Sequence, residues 1–132
     1  MESLFVMAQV APTEYPKDNL EKADSLVKEA AEKYHPGMIL FPETFMSRFP
    51  AGTDIATANA VAEPLDGEFV QGMKKLAADH DVWLTFGMKE TIEDPADHRC
   101  YNTVVMVNNK GEIVQTYSCL LYTSPSPRDG AT

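Results

Sequence analysis

The sequence predicts an α/β domain built on a mixed sheet with two crossover helices. Two observations carry the crossovers: an apolar run, an amphipathic helix and a second apolar run follow one another, and then a further helix and a third run. The third observation is a change of pattern near residue 101, where two strand-like runs are separated only by a four-residue turn. A barrel repeating strand and helix all the way round would place a helix there instead.

Residues 4–10 are almost continuously apolar, the pattern of a strand covered on both faces. Pro12 and Pro16 break that run. Asp18 stands where a helix cap is needed, and Glu21 three residues on can complete a capping box. Leu20, Ala23, Val27, Ala30, Ala31 and Tyr34 recur at helical spacing and form one apolar face. Between them, Glu21, Lys22, Lys28, Glu29, Glu32 and Lys33 make a solvated face. His35-Pro36-Gly37 stops the helix, and Met38-Ile39-Leu40-Phe41 forms the second strand, ended by Pro42.

Residues 44–62 read as a long loop with a short helix near 55–61, and loops of that length are uncommon unless they carry function. The second crossover helix runs from Asp66, its expected cap, to Asp79, with Phe69, Val70, Met73, Leu76 and Ala77 as its buried stripe. Residues 82–88 form the third strand. Residues 101–107 and 112–117 form a hairpin around Asn108-Asn109-Lys110-Gly111.

Composition narrows the function. The chain has 132 residues, 44% hydrophobic and 23% charged, in the range of an ordinary globular protein. Its 20 acidic residues outweigh 11 basic ones, for a net charge of −9. A surface of that sign repels a phosphate backbone, so neither nucleic acid nor an anionic membrane is expected as a partner. No apolar run approaches the roughly 20 residues needed to span a bilayer. Met1-Glu2-Ser3 lacks the positive region of a secretory signal, and Cys100 and Cys119 have no framework spacing, so a reduced, cytoplasmic protein is expected. His35, His80 and His98 make no metal-ligand spacing, and no metal is expected.

The last stretch differs in character from the rest. Cys119 to Asp129 carries two Ser-Pro steps and is similar, without a break, to the peptide read from a transposase-type sequencing adapter. Residues 119–132 are therefore expected to be a non-native tail, and residues 1–118 the authentic domain portion.

Glu43 follows the second strand directly, at the crevice outside the strand ends where open α/β sheets bind ligands. A carboxylate against apolar neighbours there has a raised pKa, which suits a general base near neutral pH. On the tripeptide Phe41-Pro42-Glu43 alone, a surface carboxylate after a strand, tied to a nearby basic group, is the favoured reading.

The series of motifs decides between these readings. In order they are the opening strand with Gln9, Asn19 leading into the first helix, and Met38-Ile39-Leu40-Phe41-Pro42-Glu43-Thr44-Phe45. Gly67 then opens a helix that leads to residues 82–87. Tyr101-Asn102-Thr103 and Asn109-Lys110-Gly111-Glu112-Ile113-Val114-Gln115-Thr116-Tyr117 complete the series. Over residues 3–118 this resembles the N-terminal portion of the nitrilase superfamily of carbon–nitrogen hydrolases. The resemblance implies a truncated α-β-β-α sandwich and a Glu–Lys–Cys triad that cleaves a small amide or nitrile through a thioester, without a cofactor. Glu43 matches the family's glutamate. The lysine belongs at position 119, where Cys119 stands, and the nucleophile belongs later still, so this chain alone is expected to be inactive.

Cys100-Tyr101 is similar to the start of the family's nucleophile motif, but it precedes the lysine position, and Asn102 stands where that motif has an acidic residue. Cys100 is therefore read as a structural thiol. Phe45 and Phe49 fall where the family often presents an aromatic to substrate, although both can equally pack beneath the loop. Arg48 is either an exposed loop residue or a carboxylate contact. The full-length protein is expected to be a homo-oligomer.

Two other readings compete. One is a barrel hydrolase using Glu43 as one of two carboxylates, which the hairpin disfavours. The other is a non-catalytic α/β ligand-binding or interaction module, although the first strand–helix connection lacks the glycine-rich turn of a nucleotide site.

Overall fold

The computed structural model describes residues 3–94, 96–97 and 99–121. The elements in chain order are β1 (Phe5–Met7), α1 (Pro16–Tyr34), β2 (Met38–Leu40), α2 (Ile55–Asn59), α3 (Glu68–His80), β3 (Trp83–Thr91), β4 (Cys100–Val107) and β5 (Ile113–Leu121). They build one five-stranded sheet in the order β1-β2-β3-β4-β5. The pairs β1–β2 and β2–β3 are parallel, and β3–β4 and β4–β5 antiparallel, so the mixed α/β sheet with two crossover helices is observed.

Helices α1 and α3 pack on each other, and α3 contacts the sheet at β3 and β4. The core draws Ile39, Leu84, Phe86, Met88, Val105 and Val107 from the strands. Ala23, Val27, Phe69, Val70 and Met73 complete it from the helices. On the opposite side of the sheet Phe5 and Met7 are exposed, as is Tyr117 on β5. Among the described residues no helix is long and apolar enough to cross a membrane.

Several local expectations are corrected. Tyr15 occupies the N-cap of α1 and Pro16 starts the helix, with no side-chain capping bond; Asp18 sits inside the first turn. Proline's fixed φ suits the first helical position, and its missing N–H costs nothing there. Gly67, not Asp66, caps α3, and Glu63 serves that end by accepting a 2.9 Å bond at Oε1 from Phe69 N. β1 is a three-residue edge strand rather than a run covered on both faces, because among the described residues no element lies over Phe5 and Met7. Tyr34, the last residue of α1, is exposed rather than part of the buried face.

The hairpin turn forms as expected. Asn108 Oδ1 accepts bonds from Lys110 N and Glu112 N, both 3.0 Å, and Gly111 takes φ +79°, the left-handed conformation glycine adopts freely. β5 then carries a bulge: Val107 pairs Ile113 but Met106 pairs Gln115, leaving Val114 over. The strand continues past residue 117 through Cys119, Leu120 and Leu121, which pair with Asn102, Tyr101 and Cys100. Residues 122–132 of the expected tail lie outside the described residues.

Candidate active site

The site is assembled by the segment that leaves β2. Phe41 N still bonds Thr85 O at 2.8 Å, and then Pro42 turns the chain over the sheet. Phe45 N bonds Pro42 O (3.2 Å) and Met46 N bonds Gly87 O (3.1 Å), so residues 43–46 are tied down on β3. Gly87 is what permits that crossing. A methyl group there would overlap the Glu43 carbonyl and reach within 2.9 Å of its Cα. Only glycine fits under this backbone.

A second anchor comes from α1. Asn19 is fully buried, and its Nδ2 donates to Met46 O (2.9 Å) and Thr13 O (2.8 Å) while its Oδ1 accepts from Thr13 N (2.8 Å). Ser47 Oγ donates to Glu14 O at 2.6 Å, and Arg48 N to Thr13 O at 2.9 Å. The loop after Glu43 is therefore joined to the loop before α1.

Held this way, the Glu43 carboxylate reaches the face of the sheet away from the helices. Its Oε1 accepts a 2.9 Å bond from Asn102 Nδ2 on β4. It borders a cavity of about 580 Å³ whose wall includes Arg48, Phe49, Ile55, Lys89 and Asn102. Glu43 is exposed, not packed against apolar neighbours as the sequence suggested, because this side of the cavity is open.

Lys89 lies directly across from Asn102. Its ammonium donates to Ala58 O (2.8 Å) and sits 5.0 Å from the centre of the Phe49 ring, a cation–π arrangement. Burial lowers the Lys89 pKa, with Cys100 acting in the opposite sense. Among the described residues Lys89 and Glu43 form no ion pair. Neither Lys89 nor Asn102 was singled out in the sequence as a site residue. The available signal was alternation: both fall on strand positions facing away from the core, near the ends beside Glu43.

The remaining candidates separate. Phe49 lines the cavity, whereas Phe45 is fully buried between Phe41 (ring centres 4.5 Å) and Phe69 (6.1 Å) and belongs to the core. Phe45 is thus removed from the substrate-facing set, because the turn at Pro42 points it down beneath the loop. Cys100 is fully buried, and burial pushes its thiol pKa up while Lys89 opposes the shift. That is the environment of an inert thiol rather than a nucleophile. His35 is the exposed C-cap of α1 and His80 ends α3; His98 lies outside the described residues.

Position 119 has a place in this arrangement. Cys119 pairs directly with Asn102, so its side chain is on the same face as the residue that holds Glu43.

The carbon-nitrogen hydrolase family matches residues 6–128, and this chain belongs to it. A deaminated glutathione amidase of Mus musculus is 30% identical over 118 residues, covering 86% of this chain and 35% of the relative. The human deaminated glutathione amidase is 31% identical over the same length, covering 86% of this chain and 34% of its own. The chain thus spans about a third of these curated relatives.

Among solved structures, a carbon-nitrogen hydrolase from Helicobacter pylori G27 shares the fold with a TM-score of 0.76 at 17% identity, over 93% of this chain and 41% of that one. An amidase from Nesterenkonia sp. AN1, in a mutant form in which acrylamide has added to the active-site cysteine, gives 0.71 at 18% identity over 94% and 46%.

Proposed function

We propose that this chain is the N-terminal part of an amide-hydrolysing member of the family, with Glu43 as its general base. The observation that carries the reading is the placement of Glu43. Its backbone is fixed over Gly87, its carboxylate is held by Asn102, and it borders an open cavity. The amidases among the relatives support an amide as substrate, with a nitrile as the related alternative.

The mechanism that fits is a Glu–Lys–Cys thioester sequence. Glu43 takes the proton of a cysteine thiol supplied by a later part of the protein, and the thiolate sulfur bonds the amide carbon. A lysine in the place held here by Cys119 stabilises the negative oxygen of the tetrahedral intermediate. Glu43 then passes its proton to the departing nitrogen as the C–N bond breaks, leaving an acyl thioester and ammonia. Water attacks the thioester, with Glu43 accepting its proton, and the carboxylic acid leaves as the thiol is restored. No metal or organic cofactor takes part. The 132-residue chain, with Cys119 in the lysine position, lacks this activity, and the whole enzyme is a homo-oligomer in this reading.

The test is ammonia release from a small aliphatic amide by the full-length protein, with lysine at 119, compared with its Glu43→Gln variant. Loss of a general base should slow turnover by roughly 10²–10⁴-fold. Unchanged turnover in the variant would remove Glu43 from the mechanism.

A further inference from the structure

Position 119 reaches the Glu43 side of the sheet only because β5 is paired one residue out of the register its own turn would give. From Val107 opposite Ile113, regular pairing would put Val114 opposite Met106 and Ser118 opposite Asn102. The observed pairing skips Val114, setting Gln115 opposite Met106 and Cys119 opposite Asn102. A shift of one residue turns every side chain of a strand to the other face. Along the middle of β5 burial does not choose between the two registers, since Val114, Gln115, Thr116, Tyr117 and Ser118 are all exposed. Ile113, packed on the core, precedes the bulge, and beyond it only half-buried Leu120 gains from the observed pairing.

What does distinguish them is a line of polar groups across three strands, on the face turned toward the helices. Thr103 is fully buried, and its Oγ1 donates to Glu90 Oε1 at 2.8 Å. Ser118 Oγ lies 2.9 Å from Thr103 Oγ1 and donates to Glu90 Oε1 at 3.4 Å. Glu90 is itself fixed by its strand pairing with Tyr101 and by the bridge to Glu63. In the regular register Tyr117 would stand opposite Thr103, with its hydroxyl a ring's length away from Oγ1, and Ser118 would face Asn102.

We propose that Glu90, Thr103 and Ser118 form a register lock that selects the bulged pairing of β5 and so presents residue 119, rather than 118, beside Asn102 and Glu43. Thr103 and Ser118 are then positioning residues for a site they do not touch. The value of that placement rests on the reading that position 119 serves the chemistry of Glu43; the lock itself does not.

The test reads pairing directly and needs no catalysis. In the 132-residue chain carrying Asn102→Cys, the introduced thiol stands across from Cys119, within the separation a disulfide spans. Dilute chain is oxidised with oxidised glutathione, and the linkage is located by tandem mass spectrometry. The 102–119 link is expected to form, and to persist when Thr103→Ser is added. Adding Thr103→Val with Ser118→Ala should lower its yield at least about tenfold, the scale of a charge-assisted hydrogen bond. Deleting Val114 from that lock-free chain should restore the link, because regular pairing from the turn then brings residue 119 to Asn102 without a bulge. This rescue separates loss of register from loss of fold.

The proposal is overturned if the link is absent from the starting chain, undiminished without the two hydroxyls, or not restored by the deletion. An intact lock in a protein with no amidase activity would sink the hydrolase reading and leave the lock standing.

Discussion

Replacing Gly87 by alanine attacks the site at the point where its geometry is made. The added methyl would occupy the volume of the Glu43 carbonyl and approach its Cα to 2.9 Å. Non-bonded carbon contacts settle near 3.5–4.0 Å, so the Glu43 backbone must withdraw by on the order of 2 Å. Such a displacement strains or breaks Met46 N→Gly87 O (3.1 Å), Gly87 N→Pro42 O (3.4 Å) and Asn102 Nδ2→Glu43 Oε1 (2.9 Å). At about 1 kcal/mol net for each of the three bonds, plus about 1–3 kcal/mol for overpacking, the expected loss is about 4–6 kcal/mol. Urea unfolding followed by the fluorescence of Trp83 measures it in this chain. In the full-length protein the same substitution should lower kcat by on the order of 100-fold, since a misplacement of about 1 Å is already that costly. A variant within about 0.5 kcal/mol of the parent would refute the close crossing and the placement of Glu43 derived from it.

The other expectations concern the core, the thiols and the open face. Phe45→Ala should cost about 3–5 kcal/mol in the same urea assay, and a loss under about 1 kcal/mol would return Phe45 to the cavity wall. Cys100 should react with a thiol reagent only on unfolding, whereas exposed Cys119 reacts at once. Because the folded Cys100 pKa is raised, its contribution to stability is fully present below the unfolded thiol value of about 8.5 and is lost as pH rises through the folded value. Comparison with Cys100→Ala isolates that slope from the opposite trend of Lys89, whose lowered pKa makes stability rise with pH over the window just below about 10.4. The 132-residue chain, with Phe5, Met7 and Tyr117 exposed on one side of the sheet, should self-associate in sedimentation at micromolar concentration. A monomer with a sharp, concentration-independent transition would count against that.

Much of this fold was legible because its signals are long-range and redundant. The stripe of Phe69, Val70, Met73, Leu76 and Ala77 and the turn at Asn108–Gly111 each have one physical solution, and the structure adopts it. The helix starts were not legible, because Asp18 and Asp66 carry the right side chain for a cap while Pro16 and Gly67 carry the right backbone, and the backbone decides. Glu43 could be placed from its strand, yet its partners could not. Asn102 lies 59 residues on, and Lys89 meets the site through cross-strand pairing that no local pattern records. The bulge at Val114 was invisible for a related reason: it is set by the contacts of Ser118 with Thr103 and Glu90 on the neighbouring strands rather than by any local pattern in β5.

Intact-mass spectrometry of the full-length protein during turnover of a small amide tests most directly whether Glu43 serves a covalent hydrolysis. A mass increase equal to the acyl group, mapped to one cysteine, removed on standing in water and absent from Glu43→Gln, is the predicted result. Turnover with no acyl adduct, or an adduct that forms equally well in Glu43→Gln, would contradict it.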